Sequence, residues 1–158
     1  MFSLGMAGVS ALLLTNLGSA AQSRNASIAS IAAANLAEQI LFNPVAIDRY
    51  LNPPESVTTL CQADDSSIQS ISTISPSAFV CSPQQQADYD FSLWQIELSD
   101  QLRHSASVVC FDSTPQDGDG NDNACDGAGS LVIKIFWVSP AVDGNQSTNK
   151  HRYTLVAG

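Results

Sequence analysis

FSLGMAGVSALLLTNLGSAAQSRNASIASIAAANLAEQILFN, the stretch from Phe2 to Asn43, runs without a proline until Pro44 stops it, and the rest of the chain must fold around it. Its Ala, Leu, Ile and small polar residues mostly lose little entropy or little burial in a helix. The stretch is predicted to be one helix, roughly 60 Å long at 1.5 Å per residue. A chain of 158 residues has little material to wrap both ends of such a rod.

Plotted at the helical period, residues 24–41 place Ile28, Ala32, Leu36 and Ile40 beside Ala29, Ala33, Ala37 and Leu41, filling more than half the circumference. Arg24, Ser27, Asn35 and Glu38 share the remaining arc with Ile31. A surface helix of one domain needs a narrower apolar stripe, so this one should bury one side on its own domain and offer another to a partner. From Phe2 to Leu14 the polar side chains are Ser3 and Ser10, so that half is apolar all round. The expected partner-packing positions are Leu12, Leu13, Leu17, Ile28, Ala32, Leu36 and Ile40.

Six Lys plus Arg against fifteen Asp plus Glu argue against nucleic acid, whose phosphates require clustered cations. The length suits a single domain of ordinary size. Cys61, Cys81, Cys110 and Cys125 lie outside the helix and have neither C-x-x-C nor Cys/His ligand spacing, which argues against zinc. An even count among long Ser/Asn/Gln/Asp loops reads as two disulfides formed in an oxidising compartment. Three pairings are open. Sequential closure, Cys61 with Cys81 and Cys110 with Cys125, is favoured because each bridge would then staple one polar loop.

Residues 1–20 end in Gly18-Ser19-Ala20, like a secretory signal peptide, but no Lys or Arg precedes the apolar run. A membrane span needs about 20 apolar residues, and Asn16 interrupts after about 14. The segment therefore reads as the second half of something longer.

After Pro44, residues 45–50 allow a short turn, Pro53-Pro54 breaks it, and a polar stretch follows to Pro83. Cys61 and Cys81 at its ends argue for a closed loop, with Ile68, Ile71, Ile74 and Phe79 available as anchors. A second helix is predicted with Asp88 and Asp90 at its N-terminus, Phe91, Trp94, Leu98 and Leu102 on its buried face, and an end near His104. Alternation and β-branched or aromatic content predict strands over 105–112, 130–138 and 151–156. The middle run is the most apolar and belongs at the centre of an antiparallel meander, where both faces are covered. The fold class is α+β: a long N-terminal helix packed on a small antiparallel sheet of three to four strands, with a short second helix and disulfide-closed loops.

Phe2-Ser3-Leu4-Gly5-Met6-Ala7-Gly8, the helix end from Leu36 to Pro44, the short helix with Asp90, Trp94 and Leu98, and the β-rich end containing Val132-Ile133-Lys134-Ile135-Phe136-Trp137 form an ordered set. In these pieces the chain resembles the type IV pilins, and specifically the PilV family of minor pilins, over nearly its full length. The resemblance implies the type IV pilin fold. Residues 1–43 would form its long helix, with 1–20 the remainder of the membrane and filament-core half, and 44–158 the globular head. It implies a rare subunit that waits in the inner membrane with its head in the periplasm and then enters an extracellular pilus. There it would join other minor pilins in a complex that primes assembly and sits at the tip, touching the major pilin and a tip adhesin. Family precursors also carry a basic leader, a Gly-Phe-type cleavage site and an early Glu, and none of these is in the sequence. Met1 is expected to be an engineered start replacing roughly the first half of a span of about 20 residues.

The chemistry expected is association, with neither catalysis nor a cofactor. His104 and His151 belong to no recognisable nucleophile or metal motif. Gly118, Gly120, Gly127 and Gly129 precede no P-loop Lys-Ser/Thr and open no helix. DSTPQDGDGNDNACD, residues 112–126, raises calcium as a ligand: Asp117, Asp119 and Asn121 match the start of an EF-hand loop, but Asp122 stands at its glycine position and Ala128 where its last Glu belongs. Asp, Gly and Asn are equally the residues of turns. Two rival functions stand beside the pilin reading. One is a minor pseudopilin of a type II secretion system, built on the same helix. The other is a secreted binding or adhesive module whose residues 1–20 would be an export signal.

Overall fold

The computed structural model describes residues 2–54, 81–140 and 148–157, with side chains in the first helix from residue 16 onward. Two compact units are present, Met1–Ala33 with Leu98–Gly158, and Ala34–Glu97. Helix α1, Phe2–Phe42, is the single long helix expected. It closes where Asn43 N–H donates to both Gln39 O at 3.1 Å and Ile40 O at 3.2 Å. Asn43 itself is non-helical, at φ −131° and ψ 57°, as the following Pro44 requires.

In the unit of residues 34–97, a 3-10 turn over Pro44–Ala46 leads into the short helix α2, Ile47–Leu51. Helix α3, Pro83–Gln101, provides Ala87, Phe91 and Trp94, which are buried as are Leu36, Ala37, Ile40, Ala46 and Tyr50 of the same unit. Phe91 and Trp94 have ring centroids 5.5 Å apart. Two polar links close the unit: Arg49 Nε donates to Asp88 Oδ1 at 2.8 Å, and Asn43 Nδ2 to Pro83 O at 2.7 Å.

The start of α3 corrects the expectation. Asp88 and Asp90 do not cap it; they lie inside it, Asp88 paired with Arg49 and Asp90 accepting from Gln86 Nε2 at 2.7 Å. The cap is Ser82. Its Oγ accepts from Gln85 N–H at 3.2 Å while Gln85 Oε1 accepts from Ser82 N–H at 2.9 Å, a reciprocal capping box with proline at the first helical position. The helix ends at Gln101, near His104 as expected, and His104 adopts the left-handed conformation at φ 49°.

In the other unit, β1 (Ala106–Asp112), β2 (Ser130–Pro140) and β3 (Thr148–Val156) form the expected antiparallel meander in the order β1-β2-β3. Residues Val132 to Trp137 of the central strand are all buried. Register fixes which side chains share a face. Lys134 lies opposite Val108 and Thr154, and Val132 opposite Cys110 and Val156. With the period of two, Asp112, Cys110, Lys134, Arg152 and Lys150 therefore belong to one face. Ile133, Ile135, Trp137, His151 and Tyr153 belong to the other. Helix α1 reaches that second face, where Ser30 Oγ donates to the Tyr153 hydroxyl at 3.1 Å. The loop of residues 113–129 reaches the first. The expected Cys61–Cys81 loop and its anchors Ile68, Ile71, Ile74 and Phe79 lie outside the described residues, apart from Cys81, which is disulfide-bonded.

Candidate functional site

Two surfaces carry the residues singled out by the sequence, the outward side of α1 and the Asp-rich loop. On α1, Asn16, Leu17 and every residue from Ser19 to Arg24 are exposed, with Gly18 half-buried, so this run is exposed nearly all round among the described residues. Farther along, Ala29, Ala33, Leu36, Ala37 and Ile40 form a buried stripe of mostly small side chains. Of the expected partner-packing positions, Leu17 is 67 % exposed and Ile28 and Ala32 are half-buried. Leu36 and Ile40 are instead buried in the chain's own core, because they continue the stripe of Ala29 and Ala33 at helical spacing. Leu12 and Leu13 lie among the undescribed side chains. On α1 and just past its end, the exposed large apolar residues outside that set are Ile31, Leu41, Phe42 and Val45, with Phe42 89 % exposed. Leu41, Phe42 and Val45 bracket the helix end at Pro44, and their signal was large apolar residues adjoining a helix stop.

The Asp-rich loop is held by cations from the sheet. Lys134 and Asp112, both wholly buried, form an ion pair, and the same ammonium reaches Asp117 Oδ1 at 2.9 Å. It also donates to the Asn123 carbonyl at 2.9 Å and the Asp117 carbonyl at 3.3 Å. From β3, Lys150 pairs with Asp119 at 2.8 Å, and Arg152 donates to the carbonyls of Gly118, at 3.0 Å, and Gln116. Gly118, at φ +83°, lies so close to the returning chain that an added Cβ would stand 2.5 Å from Asn123 O. The Cys110–Cys125 disulfide, with Cα atoms 6.2 Å apart, closes the loop as expected.

These contacts set the loop's electrostatics. The Thr114 hydroxyl and then the Lys134 ammonium hold Asp117 below the usual carboxylate range. Lys150, joined by the amides of Asn121 and Asp122, lowers Asp119 to about 2. Asp126 is lowered chiefly by the Ser113 hydroxyl. Burial works against the charge on Lys134, but Asp112 and Asp117 outweigh it and raise its pKa. The calcium candidates do not converge on one point: Asp117 faces Lys134, Asp119 faces Lys150, and the N–H of Asn121 donates to Asp119 at 2.8 Å. Lys134 itself was missed, although it is the only charge in the apolar run SLVIKIFWV.

Both histidines line a cleft of about 550 Å³ with Trp137, Asp119, Lys150 and Arg152 among its walls. His151 stacks on Trp137, ring centroids 5.4 Å apart, and its Nε2 lies 2.6 Å from Ser139 Oγ. No family model, curated protein or solved structure matches the chain. Among the described residues no helix is long and apolar enough to cross a membrane.

Proposed function

We propose that the chain is a minor pilin of PilV type, which packs through α1 into a type IV pilus and works by association rather than catalysis. The observation that carries the reading is the run from residue 16 to residue 24, exposed nearly all round on a helix whose later turns bury a stripe in the chain's own core. A helix segment without cover from its own chain gains stability when neighbouring subunits surround it, and head-to-tail contacts of this kind generate open filaments. The three-stranded meander, the short second helix and the Cys110–Cys125 bridge are compatible with the pilin fold. The disulfide also suits an oxidising compartment such as the periplasm. In this reading the partners are other minor pilins, the major pilin and a tip adhesin. The native precursor waits in the inner membrane before assembly.

The test is the intact mass and N-terminal sequence of the native protein from membrane and sheared-filament fractions of the producing cells. An N-methylated Phe on a chain recovered with filaments is the expected result. A chain beginning near Ala21 and found in the medium would overturn the proposal in favour of a secreted module.

A further inference from the structure

The buried group under the Asp-rich loop has the composition of a cation site. Four oxygens surround the Lys134 nitrogen: Asp112 Oδ2, Asp117 Oδ1, the Asp117 carbonyl and the Asn123 carbonyl. Two carboxylates and two backbone carbonyls are the ligand types a hard divalent cation takes. Asp112 is wholly buried, and its Oδ2 lies against the Lys134 ammonium, its sole counter-charge among the described residues.

We propose that this cage is a cation site that the chain fills with its own ammonium. Lys134 does the work that calcium does in other acidic loops. It neutralises Asp112 and Asp117 and draws the Asp117 and Asn123 carbonyls onto the sheet. The loop is thereby fixed in media rich or poor in calcium. Lysine suits the task because the ammonium has three donors and no acceptor, and its stem runs from the central strand along the face that Asp112 shares. The distances from the ammonium to the three loop oxygens, 2.9 to 3.3 Å, exceed the roughly 2.3–2.6 Å of calcium coordination, while Asp112 Oδ2 lies closer. A cage emptied of lysine would therefore contract to hold calcium. The loop wall can supply that movement, since the Asp117 side chain is 45 % exposed whereas Asp112 is fixed in the sheet.

The experiment compares melting temperatures in EDTA and in millimolar calcium chloride. Wild-type protein should melt at the same temperature in both. Lys134→Ala should melt well below wild type in EDTA and regain several degrees in calcium, and adding Asp117→Ala should abolish that gain. If Lys134→Ala does not fold in EDTA, refolding on calcium addition, followed by circular dichroism, is the expected result. Lys134→Ser, which leaves a hydroxyl in the cavity, is the second variant and should respond in the same way. A rise in the wild-type melting temperature with calcium overturns the proposal, because the cage would then not be filled. So does the absence of a calcium response from both variants, whether they fold or stay unfolded.

Discussion

In the sheet, Lys134 and Asp112 are charged and wholly buried, whereas on α1 the apolar side chains of Leu17, Ile31, Leu41 and Phe42 are exposed. Both regions depart from the ordinary sorting of side chains, in opposite directions. They differ in where the compensating partner is. Each buried charge has its counter-charge a few ångströms away in the same chain, held by strand register and a disulfide-closed loop. Among the described residues the exposed apolar groups have no such cover. The first kind of exception is a device of stability, and on the proposed function the second is a surface for another molecule.

The largest effect should come from leaving the buried pair half made. Lys134→Met keeps the stem's bulk and strands two carboxylates, at a cost of about 4 kcal/mol. Lys134→Met with Asp112→Leu should recover part of that loss in chemical denaturation, because no charge is then buried at the strand positions. A double variant as unstable as the single one would show that the cost lies in packing and not in charge.

Next in size is the buried stripe of α1. Leu36 is fully buried, so Leu36→Ala should cost about 3 kcal/mol, the usual sum of lost transfer energy and a residual cavity. A change below 1 kcal/mol would mean that this turn is not anchored in the core, and the contrast between the two sides of the helix would collapse.

Acid should produce a smaller and more local effect. Asp119 is lowered to about 2, and Asp117 and Asp126 are lowered as well. Each therefore adds stability that is complete above the unfolded carboxylate value near 3.9, and that stability is lost as pH falls through the folded values. The loop should loosen between about pH 4 and pH 2, read by amide exchange at Asn121 and Asp122. Salt should weaken the Lys150–Asp119 part of the effect, because both side chains are about half exposed. Exchange at these two amides that stays unchanged down to pH 2 would remove the carboxylates from the account of loop order.

The elements that local pattern governs could be read before any coordinates. Helix α1 follows from 41 residues free of proline, and the inner face of α3 from Phe91, Trp94 and Leu98, continued past its end by Leu102. The three strands and their order follow from alternation and from the apolar excess of the central run. The capping box at Ser82 and Gln85 was also present in the sequence, yet the polar run Pro83-Gln84-Gln85-Gln86 disguises a helix start as loop. What local pattern could not give was pairing at a distance. Asp117 meets a lysine 17 positions on and Asp119 one 31 positions on, so an EF-hand-like spacing was dispersed among cations supplied by two strands. The helical wheel likewise gave the width of the apolar arc on α1, but not which part the chain itself covers. Leu36 and Ile40 therefore looked available to partners while being core.

The smallest change in stability should accompany the largest change in proposed function. Leu17 and Ile31 are 67 % and 62 % exposed, so Leu17→Asp and Ile31→Asp remove little burial and should shift the folding free energy by about 0.5 kcal/mol or less. If α1 packs against neighbouring subunits, the same carboxylates would be buried there without a counter-charge, and incorporation should fall steeply. Immunoblots of sheared filaments against whole-cell extracts measure this directly, with Ser27→Asp on the polar arc as a comparison. Unchanged incorporation of both apolar-site variants, with normal melting, would show that this side of α1 stays in solvent. The exposed groups would then be a tolerated excess rather than an assembly surface.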